Sequence, residues 1–172
     1  MYNNIFDNNT SGATDCRGIL VDGIIENGQM TEITNNTFIG NDRAIVIEKH
    51  YDALTSINVM NNIMQGNEQA LTVTSFNYGT FEPAVFNNLT YQNGIDFAGI
   101  SPGQLVDNLN GAPLLVAPAS GDFRLSAGSI AIDAGTDASA PLSDFYGSPR
   151  PVDGDNNGIP TTDIGAHEFN PI

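Results

Sequence analysis

A run of acidic and amide residues near the end of the chain has the spacing of a calcium-binding loop. Oxygen-bearing side chains occupy alternate positions from Asp153 onward, and Gly158 stands at the sixth position, where such a loop needs a sharp turn. The twelfth position carries no glutamate. The spacing predicts a structural Ca²⁺ site, and the competing interpretation is a turn-rich loop whose carboxylates accept backbone N–H groups. The candidate ligands are Asp153, Asp155, Asn157, Ile159 (through its carbonyl) and Asp163.

Aromatic residues form a second group with binding potential. Tyr51, Tyr78 and Phe81 follow apolar stretches that we interpret as strands, so they would lie in the loops after those strands. Flat aromatic faces at such positions would stack on sugar rings along a groove. The alternative is that these rings pack the corners of the fold. The sequence leaves both interpretations open.

The charge of the chain restricts its partners. The formal net charge is −15, from 20 acidic and 5 basic residues. Such a surface repels nucleic-acid backbones and anionic membranes and attracts divalent cations. The single cysteine, Cys16, excludes an internal disulfide, and no apolar run is long enough to insert into a membrane. Met1 to Asn4 already belong to a repeat, so we expect no signal peptide in this chain.

A repeated sequence motif predicts the elements that position these residues. A pair of asparagines is followed by two mostly apolar residues and, a few residues later, by a further asparagine. Three copies start 26 residues apart, and a fourth lies 32 residues upstream, so six extra residues are expected within 10–15. A fixed period of this size indicates a solenoid. The copies begin at Asn3, Asn35, Asn61 and Asn87.

Each repeat reads as two or three short strands separated by turns. Alternation around Ile33, Val59 and Val85 is typical of half-buried strands, and no stretch has a helical period. Stacked repeats would bury one column of apolar side chains. Asparagine tolerates left-handed backbone angles at a corner, and its amide would pair with the same amide one coil away. We therefore predict an all-β, right-handed, single-stranded parallel β-helix of about four to six coils.

The repeat fades after Asn93. We assign residues 1–111 to the coils, and 112–172 to the final coil or coils and an irregular C-terminal cap within the same structural unit. The first coil has no cap of its own in this reading. Its open edge would pair with a second copy, so a homodimer through the N-terminal coil is one expectation.

These residues resemble a known family. The repeat, together with the stretch from Asp122 to Gly135 and the motifs at 147–151 and 163–169, is similar to bacterial right-handed β-helix proteins of the pectin-lyase-like superfamily, with a choice-of-anchor-type C-terminal region. The resemblance covers nearly the whole chain. It implies a secreted or cell-surface location and polysaccharide as a partner.

The same resemblance implies an enzymatic alternative. β-Helix polysaccharide lyases use Lys or Arg as the base that removes a proton from a uronic acid. Lys49, the only lysine of the chain, would take this role with Arg43 and His50, provided that its pKa is depressed. The competing interpretation is solvated residues at the ends of a strand. We thus expect a non-catalytic, carbohydrate-interacting scaffold, with a lyase and a self-associating structural module as alternatives.

Overall fold

The structure is a computed structural model that describes residues 1–12, 16–22, 30–49, 56–75 and 83–171. Among these residues no helix is long and apolar enough to cross a membrane. The strands, in chain order, are β1 Ile5–Asp7, β2 Arg17–Asp22, β3 Met30–Thr34, β4 Thr37–Ile39, β5 Arg43–Lys49, β6 Ser56–Met60, β7 Ile63–Gln65, β8 Gln69–Ser75, β9 Ala84–Phe86, β10 Leu89–Tyr91, β11 Ile95–Ala98, β12 Leu105–Val106, β13 Leu109–Asn110, β14 Leu115–Ala117 and β15 Asp122–Leu125. Short 3-10 turns lie at Pro102–Gln104 and Pro118–Ser120.

Three sheets run along the axis of the molecule. Sheet 1 contains β1, β4, β7, β10 and β13; sheet 2 contains β2, β5, β8 and β11; sheet 3 contains β3, β6, β9 and β12. All pairs within them are parallel. Successive strands pass from sheet 1 to sheet 2 to sheet 3 and back, so the chain is an all-β parallel β-helix. This confirms the predicted fold class.

The coils differ in length at the two ends. Equivalent positions of the middle coils are 26 residues apart, whereas the first step is 32 and the last is 20. Arg17 pairs with Arg43 at the ordinary spacing, so the six extra residues of the first coil lie between β1 and β2, as the sequence predicts. Phe97 pairs with Leu71 at the ordinary spacing as well, which places the shortening of the last coil between β11 and β12.

The corners before and after sheet 1 share one local structure. A residue with positive φ turns the chain, and the residue after it is an asparagine whose side chain faces the neighbouring coils. Asparagine, glycine and a few polar residues take the turning position because they tolerate left-handed backbone angles. The turning residues are Asn3, Asn35, Asn61, Asn87 and Asp107 between sheets 3 and 1, and Asn8, Gly40, Gly66 and Gln92 between sheets 1 and 2.

The asparagines that follow these turns form two ladders. In the first ladder the backbone N–H and the amide of Asn36 both donate to Oδ1 of Asn62, at 3.0 Å each. Asn62 and Asn88 repeat the arrangement at 3.0 and 2.9 Å, and both side chains are fully buried. The second ladder runs through Asn41 and Asn67. This confirms the predicted Asn ladder. One residue turns the chain at each corner, and the asparagine after it pairs with the neighbouring coil.

An apolar core fills the interior of the coils. Sheet 1 contributes Phe38 and Met64, sheet 2 contributes Ile45 and Leu71, and the alternating residues of sheet 3 complete it. Phe6 stacks on Phe38 with ring centroids 4.8 Å apart. Stacked equivalents of this kind bury apolar area continuously along the axis, which no single coil could do.

A second apolar core lies outside the coils, which the sequence did not predict. Strand side chains alternate, so Ile63 and Leu89, which neighbour the inward-facing residues of sheet 1, point outward. They pack against Leu125, Ala131 and Ile164 of the C-terminal segment. That segment begins with the antiparallel pair β14–β15 and continues as irregular chain along the outer face of sheet 1. It reaches the first coil, where the Asn3 amide donates to the Ser143 carbonyl.

Candidate cation site and the C-terminal ionic network

Three aspartates meet in the C-terminal segment. Asp153 and Asp155, both predicted from the loop spacing, lie beside Asp133, and one carboxylate oxygen of each falls within 4.8 Å of the others. Asp133 and Asp153 are half-buried and Asp155 is exposed. Sequence reasoning missed Asp133, which lies 20 residues before Asp153 and outside the loop spacing. Only folding of the segment brings the three together.

The loop is shaped by its own carboxylates. Asp153 accepts the backbone N–H groups of Asn157 and Gly158 at 3.0 and 2.8 Å. Asp155 accepts the N–H of Asn157 at 2.9 Å, and Asn157 Oδ1 accepts the N–H of Ile159 at 2.8 Å. This is the turn-rich loop of the competing interpretation. It does not exclude a cation, because each carboxylate oxygen carries more than one lone pair.

The cluster has the dimensions of a hard-cation site. Two oxygens that bind one Ca²⁺ at about 2.4 Å cannot be more than about 4.8 Å apart, and the three carboxylates satisfy that limit. Burial raises the pKa of Asp133, and the nearby charges of Asp155 and Asp153 raise it further against two backbone N–H bonds that lower it. Three carboxylates could therefore hold a metal ion, which would also relieve their repulsion.

Asp163, the predicted closing ligand, has a different environment. Its Oδ1 accepts the N–H of Asp133 at 2.7 Å and its Oδ2 accepts the N–H of Phe169 at 2.6 Å. The residue is fully buried. Burial raises the pKa of Asp163 to about 8, the charge of Glu168 raises it too, and the two backbone N–H groups act in the opposite direction. Asp163 thus holds the backbone of Asp133 through a hydrogen bond.

A buried ion pair lies next to Asp163. Arg150 donates to Glu168 Oε2 at 2.7 Å, and both side chains are almost completely shielded from solvent. The same guanidinium donates to the carbonyls of Asp163 and Gly165, at 3.1 and 2.8 Å. Glu168 also accepts the N–H groups of Val152 and Asp163. The pair therefore ties two stretches of the irregular segment together, residues 150–152 and 163–168.

The network continues onto the coils. The Asn35 amide donates to the Asp163 carbonyl at 2.9 Å, and the Ala166 N–H donates to Thr37 Oγ1 at 3.0 Å. Asn61 Oδ1 accepts the N–H of Thr136 at 2.9 Å, and its amide donates to the carbonyl of the same residue. The turning asparagines of the coils thus hold the C-terminal segment, a role that their repeat position alone does not indicate.

His167 joins the β14–β15 pair to this network. Its Nδ1 accepts the N–H of Leu125 at 3.0 Å, so the neutral ring carries its proton on Nε2. Burial lowers the pKa of His167. Tyr146 packs edge-on against the ring with centroids 5.6 Å apart. The histidine is therefore a packing and hydrogen-bonding residue at this position.

The other sequence-predicted site residues lie on the coils. Arg43 is the first and Lys49 the last residue of β5, and Lys49 pairs in register with Ser75 of β8. His50, Tyr51, Tyr78 and Phe81 lie outside the described residues. The predicted strand is present and includes Arg43 and Lys49. The base role of Lys49 and the sugar-stacking role of the aromatics stay predictions.

Comparison of the chain with protein-family models, with curated proteins and with solved structures found no match. The pectin-lyase-like resemblance therefore stays a prediction from the sequence motifs. Function has to be argued from the geometry of the molecule.

Proposed function

We propose that the chain is a non-catalytic β-helix scaffold of a secreted or surface-exposed bacterial protein that interacts with carbohydrate. The observation that carries the proposal is the use of the buried acids. Glu168 and Asp163 each present both carboxylate oxygens to N–H donors of the C-terminal segment. Both residues are also buried from solvent, whereas a general acid or base must lie within hydrogen-bond reach of a substrate. These acids act as structural residues.

The carbohydrate part of the proposal concerns the connections after β5 and β8. Lys49 and Ser75 are register partners, so β5 and β8, the strands that precede Tyr51 and Tyr78 in the sequence, end side by side. Sheet 1 is covered by the C-terminal segment, so a long ligand would lie along one of the other two faces of the coils. Neutral sugars suit a surface of net charge −15 better than polyuronates, which it repels.

The test is a panel of immobilised neutral and acidic glycans. We expect saturable binding to a neutral glycan, reduced at least about tenfold by Tyr51→Ala or Tyr78→Ala, the scale of a lost stacking contact. Phe145→Ala is the matched control, since Phe145 is an exposed ring on the C-terminal segment. Unsaturated products that absorb in the ultraviolet, and that disappear in Lys49→Ala, would instead establish the lyase alternative.

We also propose that the three-aspartate cluster holds a structural Ca²⁺ ion. At a Ca²⁺ concentration 100 times Kd the folded state gains about 2.7 kcal/mol, which for a chain of this size raises Tm by about 5 °C or more. Asp155→Asn should abolish the rise, because Asp155 is the exposed ligand. Asp122→Asn is the matched control outside the cluster. A Tm that Ca²⁺ and a chelator leave unchanged would exclude the site.

A further inference from the structure

Asparagine followed by glycine is a pair at which a protein backbone can modify itself. Because glycine has no side chain, its backbone nitrogen can approach the amide carbon of the asparagine before it. The described residues contain three such pairs, and a fourth, Asn27 with Gly28, lies outside them. The three are Asn93 with Gly94, Asn110 with Gly111, and Asn157 with Gly158. The structure gives these three pairs different surroundings.

The side chain of Asn157 is folded over the peptide bond that follows it. Its Oδ1 accepts the N–H of Ile159 at 2.8 Å, which makes an Asx turn. The ring closed by that hydrogen bond contains both Cγ of Asn157 and the nitrogen of Gly158. The turn therefore holds the amide carbon on the side of the nitrogen that would attack it.

The loop around this pair is open to solvent. Residues 155–160 are all exposed, and Gly158 has a φ of +92°. The Gly158 N–H donates to Asp153 Oδ2 at 2.8 Å, within the same loop. A bond of this kind opens by local fluctuation of a surface loop, which leaves both apolar cores intact. Water and the Gly158 nitrogen can thus reach the amide in the folded protein.

Asn93 turns its amide in another direction, towards the neighbouring coil. Its Oδ1 accepts the backbone N–H and the amide of Asn67, at 2.9 Å each. The Gly94 N–H donates to the Asn67 carbonyl at 2.9 Å, and a Cβ at position 94 would lie only 2.7 Å from the Glu68 carbonyl oxygen. Attack at this pair therefore requires the coils to separate.

Asn110 is held in a similar way. Its amide donates to Thr90 Oγ1 and to Asp96 Oδ2, at 3.1 Å each, and the Gly111 N–H donates to the Thr90 carbonyl at 3.0 Å. These partners belong to the preceding coil, so both the amide and the attacking nitrogen are tied to it. Of the three described pairs, only Asn157 with Gly158 has all its bonds inside one short loop.

We propose that Asn157 is a site of self-modification, at which the nitrogen of Gly158 attacks Cγ of Asn157 in the folded protein. The N–Cγ bond forms and the Cγ–Nδ2 bond breaks. Ammonia leaves with the proton that the Gly158 nitrogen gives up. Water then opens the resulting succinimide at either carbonyl, which leaves aspartate or isoaspartate at position 157.

The product changes the loop that carries Asp153 and Asp155. Either form adds one negative charge beside these two carboxylates. Isoaspartate also moves the side-chain carbon into the backbone, so the Asx turn to Ile159 is lost. The modification therefore alters the three-aspartate cluster as the protein ages. It depends on neither a bound cation nor glycan binding, since all the reacting atoms belong to the loop and to water.

The test follows the three described pairs in one sample. The folded protein is incubated at neutral and at mildly alkaline pH, and peptide mapping by mass spectrometry gives the rate of conversion at each asparagine. We expect Asn157 to convert at least about tenfold faster than Asn93 and Asn110, a ratio that corresponds to about 1.4 kcal/mol in the barrier. In denaturant the three rates should become similar, because the coils no longer hold the other two pairs.

Asn157→Gln is the matched control. Its side chain keeps an amide but is one carbon longer and cannot close the same ring, so position 157 should keep its mass. Equal rates at the three pairs in the folded protein would overturn the proposal. So would a rate at Asn157 that rises at least about tenfold in denaturant, since folding would then protect this pair as well. Conversion of Asn157→Gln at the parent rate would show that Gly158 is not the nucleophile and would overturn it too.

Discussion

The coils and the C-terminal segment solve the same problem in opposite ways. Both bury many polar groups, which are costly unless they are hydrogen-bonded. In the coils the partner of each buried Asn62 or Asn88 is the same residue type one coil away, so one solution is copied along the axis. In the segment each partner occurs once, as with Arg150 and Glu168. The repeated pairs allow the coils to be predicted from the sequence, whereas the unrepeated pairs of the C-terminal segment leave no pattern there.

This difference predicts which substitutions lower the stability of the protein most. A ladder position has neighbours above and below that keep most of their bonds when one amide is lost. The buried Glu168 carboxylate has its ion pair with Arg150, and that pairing is lost outright when Arg150 is removed. We therefore expect the largest losses of stability in the segment and intermediate ones in the ladders.

Arg150→Ala should be the most damaging change. It leaves the buried Glu168 carboxylate without its counter-ion, and breaking a buried pair from one side costs about 3–5 kcal/mol. Chemical denaturation would measure the loss as a lower midpoint. Arg124→Ala is the control, since Arg124 forms an exposed pair with Asp122 and its loss should leave the midpoint nearly unchanged. Equal effects of the two changes would contradict the view that the buried pair holds the segment.

The pH dependence follows from Asp163. Its pKa is raised from 3.8 to about 8 in the folded protein, so between these values the folded state binds more protons than the unfolded chain. Stability from this group is therefore highest at low pH and declines as pH rises through about 8. We expect Tm to fall by several degrees between pH 6.5 and 8.5. The lowered pKa of His167 acts in the opposite direction, because that group adds stability as pH rises towards its ordinary pKa of 6.5.

Asp163→Asn is the control for this effect. The variant cannot titrate at the site, so its Tm should change less over the same pH range even though its overall stability is lower. A variant with the same slope as the parent chain would place the pH dependence elsewhere, for example in the general repulsion of a chain with 20 acidic residues.

The ladders should show a smaller effect that depends on position. Asn62→Ala removes an acceptor for two bonds from Asn36 and a donor to Asn88, so it should cost about 2 kcal/mol. Asn4→Ala, in the first coil, removes the amide bonds to Asn36 and to the Tyr2 carbonyl at a residue that is only half-buried, and should cost about half as much. The midpoints of urea unfolding give both values. Equal costs would contradict the expected dependence on position in the ladder.

The predicted residues illustrate what a pattern can and cannot show. Asp153 and Asp155 were found because they stand two residues apart in one loop. Asp133 could not be found in this way, since its place beside them depends on how the irregular segment folds back. The spacing predicts Asp163 as a ligand of the cation. In the structure its carboxylate accepts the backbone N–H groups of Asp133 and Phe169.

The sequence by itself determined the coil. A 26-residue period, apolar alternation and paired asparagines specify strands, corners and ladders because each repeat meets a neighbour of the same kind. Only the tertiary structure decided the path of the C-terminal segment and the second core against Ile63 and Leu89. The physical reason is that those contacts join residues of different type at long and unequal separations, and no periodicity records them.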